Sequence, residues 1–317
     1  ELVKERKKKN RYYLLKRNVS YNQLAEMKRW PMFREGRYKS GIWDVQIDKR
    51  LKPFNGLAER TIGFVSDSGR VKVGLEGTYN TDLKGKEGTV MVQKISGGAT
   101  LPLDSKEEIV PQPGRDIYTT LDVELQDVAE DALGRALSHH GAGHGCVVLM
   151  EVKTGKIKAI ANLGLTKDST YAEIQNYAVG EATEPGSTFK LATVASLMED
   201  GFVTANTSVD AENGEYTVYK LTIRDHEAPE TPSLTVKRAI EVSSNVVMAK
   251  LAFQNYQAAP QKFYKHLDAF GFTKPINIEL PGAVKPTIAA PEKWSGVSAA
   301  YIAHGYELQI SPLHTLM

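Results

Sequence analysis

EATEPGSTFKLATVASLMEDG, residues 181–201, opens with a turn and continues as a helix. Pro185 and Gly186 favour the turn, and Gly201 suits a helix C-cap. Between them, apolar residues recur at helical spacing, at Leu191, Val194, Ala195 and Met198. The pattern therefore predicts a helix whose first turn carries Ser187.

The tetrad that starts this helix, Ser187-Thr188-Phe189-Lys190, places a hydroxyl and an amine nearly one turn apart on the same face. A desolvated lysine loses proton affinity and can accept the proton of a serine hydroxyl, which activates serine without histidine. Backbone N–H groups at the helix start can stabilise an oxyanion. Because Ser-x-x-Lys arises by chance about once in a chain of this length, its interpretation depends on neighbouring motifs.

Length and composition set broad limits on the function. The 317 residues predict two domains, and a hydrophobic content of 41% is ordinary for a globular protein. A net charge of +2 argues against a dedicated nucleic-acid binder. The sequence has no run of about 18 apolar residues, so no membrane span is predicted within it. It opens on Glu1 rather than Met, which leaves room for an upstream anchor or signal.

The N-terminal third changes in charge and in predicted secondary structure along its length. Residues 1–50 carry 15 lysines and arginines against 6 acidic residues, and they suit either anionic lipid headgroups or a solvated helix face. Residues 51–115 predict short strands, RTIGFV, RVKVG and TVMVQKI, separated by the glycine-rich turns SDSGR, GLEGTYN and KGKEG. PQPGRD, at 111–116, is typical of a linker or domain boundary.

From residue 120 the pattern becomes helical, with Asp122 or Thr120 as the cap. One buried stripe is predicted at Leu125, Val128, Ala129, Ala132, Leu133, Ala136 and Leu137. Two strands follow, CVVLMEV and KIKAIAN, and the turn at 153–156 joins them as a hairpin. A helix, a hairpin and the helix bearing Ser187 together predict an α+β fold with an antiparallel sheet flanked by helices.

The histidines and the cysteine of this region carry no predicted chemistry. His139, His140 and His144 lie among glycines without a spaced carboxylate or thiolate partner, so no metal site is predicted. Cys146, the single cysteine, lies in an apolar run and is interpreted as a buried structural thiol rather than a nucleophile. No cofactor is expected.

A second motif, Ser243-Ser244-Asn245, lies between the helical patterns TVKRAIEV and VVMAKLAFQNY. Serine and asparagine side chains compete for backbone hydrogen bonds, so the triplet predicts a break between two helices. Taken alone, Ser243 and Asn245 are explained by simple capping. Ser243 follows Ser187 by 56 residues (243 minus 187), however, and the two motifs gain meaning as a pair.

Ser-x-x-Lys behind Pro-Gly, followed by Ser-x-Asn between two helices, resembles two of the three signatures of the serine penicillin-binding proteins and their β-lactamase relatives. Three further segments are similar to that family. VVLMEVKTGKIKAIAN resembles its opening hairpin, NYAVGEATEPGSTFK its nucleophile segment, and HGYELQISPLHTL the helix before its third signature.

The N-terminal segments GLAERTIGFV and GLEGTYNTDLKGKEG resemble the non-catalytic pedestal of class B, monofunctional penicillin-binding proteins, with Arg60 and Glu76 at motif positions. The resemblance implies a smaller β-rich pedestal domain at 1–111 and a penicillin-binding transpeptidase domain at 112–317. The early RGxIxDRxG piece of the pedestal is not seen, and no Lys-Thr-Gly follows HGYELQISPLHTL as the third signature would, because the chain stops at Met317; Lys153-Thr154-Gly155 belongs to the hairpin turn instead. We therefore expect a transpeptidase domain truncated before its Lys-Thr-Gly strand.

The resemblance implies a peptidoglycan D,D-transpeptidase. Ser187 would attack a D-Ala-D-Ala stem peptide, Lys190 would be the base, Ser243 would relay the proton, and Asn245 would bind the substrate amide. β-Lactams would acylate Ser187. The septal type is the leading interpretation, and an elongation-type enzyme, a serine β-lactamase or β-lactam sensor, and an inactive scaffold stay open.

The same resemblance implies where such a protein works and with what. We expect a catalytic domain outside the cytoplasm of a bacterium, held at the cytoplasmic membrane by an N-terminal anchor upstream of this chain. Its expected partners are peptidoglycan stem peptides, β-lactam antibiotics, a membrane glycosyltransferase and division-complex proteins, with no nucleic acid.

Overall fold

The structure, a computed structural model, describes residues 13–42, 50–66, 68–89, 91–94, 100–102 and 109–317, together with residues 4, 7 and 44. The chain forms two compact units. One comprises Glu1–Pro53 and Lys86–Gln112, and the other comprises Phe54–Gly85 and Pro113–Met317. One boundary thus falls within PQPGRD, whereas residues 54–85 group with the second unit. The division into a pedestal at 1–111 and a transpeptidase domain at 112–317 stays a prediction.

The structure forms short elements before residue 86. They are α1 Tyr21–Met27, α2 Gly36–Ser40, α3 Glu59–Ile62, β1 Phe64–Val65, β2 Lys72–Val73, α4 Gly74–Thr78 and α5 Asn80–Leu83. Two sequence predictions are wrong here, because GLEGTYN is helical rather than a turn and RTIGFV is a strand only at its end. Gly74 instead allows its backbone to lie close to that of Thr61, since a Cβ on Gly74 would lie 2.4 Å from the carbonyl oxygen of Thr61.

Further helices and strands follow residue 86. They are β3 Val92–Lys94, β4 Thr100–Pro102, α6 Val123–His140, β5 His144–Glu151, β6 Lys156–Leu165, β7 Tyr171–Ala172, α7 Tyr177–Gly180, α8 Lys190–Glu199, β8 Ser208–Asp210, β9 Glu215–Val218, β10 Leu221–Arg224, β11 Ser233–Thr235, α9 Val236–Glu241, α10 Asn245–Tyr256, α11 Pro260–Ala269, β12 Thr287–Ile288, α12 Ser298–Ile302, β13 Leu308–Gln309 and α13 Pro312–Leu316. None of the described helices is long and apolar enough to cross a membrane.

The predicted hairpin is confirmed, because β5 and β6 pair antiparallel from His144 opposite Gly164 to Glu151 opposite Lys156. β7 extends this sheet on the far edge of β6. The turn contains Gly155 at φ +69°, a left-handed conformation that glycine adopts without strain. Helix α6 packs on this sheet and begins where predicted, since the Asp122 carboxylate accepts the N–H groups of Glu124 and Leu125.

The buried face of α6 differs from the predicted stripe. Its buried residues are Gln126, Ala129, Leu133 and Leu137, whereas Leu125 and Val128 are exposed. Gln126 sets this orientation because its side chain binds the sheet backbone, accepting from the Ile160 N–H at 2.7 Å and donating to the Ile160 carbonyl at 3.1 Å. Gln126 is therefore buried in place of its neighbour Leu125, whereas Ala129, Leu133 and Leu137 are buried as predicted.

The largest core lies around α8 and α10, which pack against α11 and α12. It buries large side chains completely, among them Leu197, Met248, Tyr256, Phe263 and Ile302. At about 1.5–3 kcal/mol for each buried large apolar side chain, this cluster stabilises the helices that carry both sequence motifs. The α+β architecture thus rests on a helical layer beside a small antiparallel sheet.

A buried carboxylate network fixes the start of α3. The Glu173 carboxylate accepts the N–H groups of Arg60 at 2.6 Å and Asn162 at 3.2 Å, and Glu130 accepts that of Ala58 at 2.7 Å. Burial raises the pKa of Glu173 to about 7, the two N–H groups oppose this shift, and the negative charges of Glu130 and Glu59 add to it. Carboxylates distant in sequence therefore cap this helical turn, which explains why RTI is not a strand.

The raised pKa of Glu173 makes stability depend on pH. An unfolded glutamate releases its proton near pH 4.5, and folded Glu173 does so near pH 7, so the folded state binds more protons between these values. We expect the free energy of unfolding to fall by roughly 3 kcal/mol at most across this window and to stay low above pH 7. Denaturant titrations of the wild type and Glu173→Gln at pH 5 and pH 8 should show this loss only in the wild type. An equal change in the free energy of unfolding between pH 5 and pH 8 in both proteins would contradict the prediction.

Candidate active site

Ser187 lies on a tight turn that leads directly into α8. Gly186–Phe189 form one 3₁₀ turn, and the Lys190 N–H donates to the Ser187 carbonyl. Gly186 adopts φ +57°, which glycine allows at the entry of the turn. The Ser187 side chain is exposed, and within the described residues no hydrogen bond joins its hydroxyl to the Lys190 amine. The predicted C-cap also occurs, because Gly201 follows α8 at φ +73°.

The buried face of α8 begins with Lys190 itself. Lys190 is only 3% exposed, and Thr193, Val194 and Leu197 continue the same face at i+3, i+4 and i+7. The apolar stripe predicted from the sequence is therefore wrong at two positions, since Leu191 is 70% exposed and Met198 is 45% exposed. The helix turns its lysine inward because the amine finds three oxygen acceptors there.

Those acceptors belong to the second motif. The Lys190 Nζ donates to the Ser243 carbonyl at 2.5 Å, to Ser243 Oγ at 3.0 Å and to Asn245 Oδ1 at 2.7 Å. Burial lowers the pKa of Lys190 to about 8, although the negative charge of Asp225 partly opposes the shift. A substantial fraction of neutral amine is thus present at mildly alkaline pH.

Backbone conformation orients Ser243, and a hydrogen bond to a neighbouring strand orients Asn245. Ser243 adopts φ +58°, an uncommon left-handed conformation for serine, at the break between α9 and α10. Capping falls to the neighbouring residue, because Ser244 Oγ accepts the Val247 N–H at 3.1 Å. The Asn245 Nδ2 donates to the Arg224 carbonyl at 2.9 Å, which turns its Oδ1 toward the lysine. The predicted break between two helices is confirmed.

Asp225, which the sequence analysis missed, holds this loop in place. Its carboxylate accepts the N–H groups of Asn245 at 2.5 Å and Val246 at 2.9 Å, and the Ser244 hydroxyl at 2.8 Å. It therefore lies at the start of α10, where a negative charge is favourable. The signal available in the sequence was an aspartate directly after the strand pattern LTIR.

Asp225 also acts on Lys190 through its charge, which gives a testable pH dependence. A negative neighbour raises the pKa of a lysine, so Asp225→Asn should lower the pKa of Lys190 further. NMR titration of the Lys190 side chain should therefore give a lower pKa in Asp225→Asn than in the wild type. Exposed Asp168→Asn is the control and should leave the pKa of Lys190 unchanged. A Lys190 pKa that is unchanged or higher in Asp225→Asn would show that this charge does not act on the amine.

The segment 303–310 runs beside the Ser187 turn. The Gly186 N–H donates to the Gly305 carbonyl at 3.1 Å, and Thr183 pairs with Ile310 through two backbone hydrogen bonds. A Cβ on Gly305 would lie 1.9 Å from the Gly186 carbonyl oxygen, so only glycine fits there. Thr193 Oγ1 donates to the Ala303 carbonyl at 2.8 Å and joins the same segment to α8.

His304 is a buried residue near the site that no sequence signal indicated. It is 4% exposed, and its Nδ1 has no hydrogen-bond partner among the described residues. Burial lowers the pKa of His304 to about 4, and the positive charge of Lys190 adds to the shift. The ring lies edge-on to Tyr301 and Tyr306, with centroids 5.5 and 5.1 Å away. It is therefore neutral at physiological pH.

The contacts of Lys190 define what the site can do chemically. A neutral amine has two N–H donors and one lone pair, and two of its three partners are carbonyl oxygens that only accept. When the amine is neutral, its two N–H groups can stay on the Ser243 and Asn245 carbonyl oxygens, which leaves its lone pair free to accept a proton from a hydroxyl. This arrangement allows proton exchange between Lys190 and Ser243, one helical turn from an exposed serine hydroxyl.

The other noted residues lie away from this cluster of contacts. Cys146 is half-buried on β5, and burial, with the charge of Glu181, raises the pKa of its thiol. His144 Nε2 contacts the Glu181 carboxylate at 2.9 Å and stacks on Tyr177. In the part of the chain that the structure describes, no group of three or more histidine, cysteine, aspartate or glutamate side chains could hold a metal ion.

Comparison with known proteins identifies the family. The family described as the penicillin binding protein transpeptidase domain matches residues 145–316. The chain belongs to this family. The match spans Ser187, Lys190 and the Ser243–Asn245 loop, and it confirms both the resemblance to penicillin-binding proteins and the predicted α+β fold.

Named relatives of this transpeptidase family extend the match toward the N-terminus. A probable peptidoglycan D,D-transpeptidase PbpC of Pseudomonas aeruginosa is 29% identical over 277 residues, which cover 86% of this chain and 48% of that protein. A peptidoglycan D,D-transpeptidase FtsI of Buchnera aphidicola is 25% identical over 280 residues, covering 86% of this chain and 47% of that protein. The chain thus spans about half the length of the curated relatives it matches.

Two solved structures share the fold of this penicillin-binding family member. The putative peptidoglycan glycosyltransferase of Atopobium parvulum superposes with a TM-score of 0.72 at 25% identity, covering 84% of this chain and 60% of that one. Penicillin binding protein 3 of Mycobacterium tuberculosis gives a TM-score of 0.69 at 23% identity, over 84% of this chain and 56% of its own.

Proposed function

We propose that the protein is a peptidoglycan D,D-transpeptidase that works through an acyl-enzyme on Ser187. One observation carries the proposal: the buried Lys190 amine contacts Ser243 and Asn245 one helical turn from an exposed serine. Family membership and relatives named as D,D-transpeptidases support it. Lys190 has the lowered pKa that a general base needs at mildly alkaline pH.

In the proposed reaction, Ser187 Oγ attacks the carbonyl carbon of the penultimate D-alanine, and Lys190 takes the hydroxyl proton. The peptide C–N bond then breaks as Ser243 gives its hydroxyl proton to the departing D-alanine amine, and Lys190 passes the proton taken from Ser187 on to Ser243. Asn245 holds the substrate amide. An amine of a neighbouring stem peptide attacks the ester carbonyl and forms the cross-link, the ester C–O bond breaks, and the amine's proton passes through Lys190 to the Ser187 oxygen.

The setting of the enzyme is part of the same proposal. Relatives named FtsI and stage V sporulation protein D support a class B enzyme of septal type, with an elongation role as the alternative. We propose peptidoglycan stem peptides as substrates, β-lactams as inhibitors, and a membrane glycosyltransferase and division proteins as partners. The catalytic domain would lie outside the cytoplasm, anchored to the membrane.

The transpeptidase proposal is tested by incubating the intact protein with a D-Ala-D-Ala stem peptide and an acceptor amine. Release of D-alanine together with a cross-linked product is expected, and Ser187→Ala should give neither. Binding of the peptide without release of D-alanine in the wild type would instead support an inactive scaffold.

Slow deacylation separates this function from that of a β-lactamase. The three carboxylates that most closely precede Ser187 in the sequence each have a partner: Glu173 accepts two backbone N–H groups, Glu181 contacts His144, and Glu184 accepts the Glu307 N–H at 3.2 Å. None of them lies in a motif of the kind that class A β-lactamases use to activate a deacylating water. We expect the penicilloyl adduct to persist for minutes or longer in intact-mass spectra, whereas hydrolysis of many penicillins per second would identify a β-lactamase.

A further inference from the structure

The stretch 13–34 in the first unit combines positive charge with exposed apolar side chains. Its charged residues are the cations Lys16, Arg17, Lys28, Arg29 and Arg34 and the single acid Glu26. The sequence before it adds six cations, Lys4, Arg6, Lys7, Lys8, Lys9 and Arg11, against the acids Glu1 and Glu5. Residues 1–34 therefore carry 11 cations and 3 acids, which is most of the positive charge excess of residues 1–50.

Apolar side chains in the same stretch face solvent rather than a core. Tyr21 is 85% exposed, Met32 is 53% exposed and Trp30 is 49% exposed. Leu14 and Leu15 are also exposed, and no residue of α1 is fully buried. Of these residues only Tyr21 belongs to α1, so the exposed apolar side chains are not explained as one face of a solvated helix and need another explanation.

We propose that residues 13–34 bind the surface of an anionic lipid bilayer, a contact that goes beyond the proposed function. Lysine and arginine near a membrane surface are attracted to anionic lipids. Tryptophan and tyrosine favour the membrane–water interface, where an apolar ring and a polar tip are both accommodated. The stretch offers both kinds of group within 22 residues (34 minus 13, plus one).

The apolar groups are what favour a bilayer over a soluble polyanion. A soluble polyanion would satisfy the lysines and arginines and leave Trp30, Met32 and Leu14 in water. At a bilayer these side chains enter the boundary between headgroups and acyl chains, and the buried apolar area adds to the electrostatic attraction. Ser20 stabilises the start of α1, the helix that carries Tyr21, because its Oγ accepts the Gln23 N–H at 3.3 Å.

Vesicle co-sedimentation of the 317-residue chain tests the proposal. Vesicles of phosphatidylglycerol and phosphatidylcholine should bind the chain, and vesicles of phosphatidylcholine alone should bind it far more weakly. Each surface cation contributes about fivefold in affinity, so the triple variant Lys16→Glu, Arg17→Glu, Arg29→Glu should bind at least about 100-fold more weakly. The matched control, Lys167→Glu, Lys237→Glu, Lys265→Glu, makes the same charge change at exposed residues of the second unit and should bind like the wild type.

A second pair of variants separates a bilayer from a soluble polyanion. Leu14→Ser, Trp30→Ser, Met32→Ser should weaken binding to the anionic vesicles about tenfold or more, whereas Val128→Ser, Val152→Ser, at exposed apolar residues of the second unit, should not. Equal binding by the N-terminal charge variant and the wild type would overturn the proposal. So would full competition by inorganic polyphosphate together with unchanged binding of the apolar variant, since that result would indicate a polyanion site.

Discussion

Ser187→Ala should take up no covalent penicillin. The change removes the only atom that can form the proposed ester and leaves the turn intact, because Gly186 and Lys190 supply its backbone hydrogen bonds. Intact-mass spectrometry after incubation with a fluorescent penicillin should show the adduct in the wild type and the unmodified mass in Ser187→Ala. The expected effect is complete loss of labelling rather than a reduced rate.

Ser208→Ala is the matched control, because it removes a hydroxyl from an exposed serine on β8. It should label like the wild type. Circular dichroism should give the same melting temperature for Ser187→Ala and the wild type. A penicilloyl adduct that persists in Ser187→Ala and maps to another residue would show that the nucleophile has been assigned wrongly.

Lys190→Arg should slow acylation by about 10³-fold or more. An arginine keeps the positive charge but does not release its proton at any working pH, so the general base is lost. In the wild type, the acylation rate should rise with pH and level off above the pKa of about 8, because only the neutral amine accepts the proton. Stopped-flow acylation between pH 6 and pH 10 measures both effects.

Lys250→Arg provides a close control for this substitution. Its amine is also largely buried and contacts oxygen atoms, with 2.5 Å to Glu212 Oε1 and 3.1 Å to the Asp210 carbonyl. Since these contacts need only a charged donor, Lys250→Arg should acylate at nearly the wild-type rate. If Lys190→Arg does so as well, another group is the base.

Local chemistry explains the parts of the fold that the sequence predicted. The β5–β6 hairpin could be predicted because two apolar runs flank a short turn with Gly155. The start of α6 could be predicted because the Asp122 carboxylate caps its first turn. The break between helices at Ser243–Asn245 could be predicted because serine and asparagine side chains disfavour a helix interior. In each case the residues that decide the structure are neighbours in the chain.

Polar core residues explain where helix faces were predicted wrongly. The pattern placed Leu125 and Leu191 on the buried sides of α6 and α8, whereas their chain neighbours Gln126 and Lys190 are buried instead. Each of these two side chains binds partners at least 34 positions away in sequence, the Ile160 backbone and the Ser243–Asn245 loop. Apolar periodicity cannot reveal such positions because their burial depends on hydrogen bonds from other elements.

The sequence predicted the motif residues of the candidate site but not the residues that surround them and hold them in place. Ser187, Lys190, Ser243 and Asn245 came from two short motifs and a family resemblance, and their roles stay predictions. Asp225 was missed because an aspartate after a strand is common and its partners lie 19–21 residues further on. His304 gave no local signal, since its burial arises only when segment 303–310 packs beside the Ser187 turn.

The contact between Gly305 and Gly186 limits how such an enzyme could evolve resistance to β-lactams. Any larger residue at 305 must push away the turn that presents Ser187, because its Cβ would overlap the Gly186 carbonyl. Acylation by drug and by natural substrate would then fall together, which gives no selective advantage. Substitutions that confer resistance to penicillin should therefore arise at positions other than 305, and Gly305 should stay unchanged under drug selection.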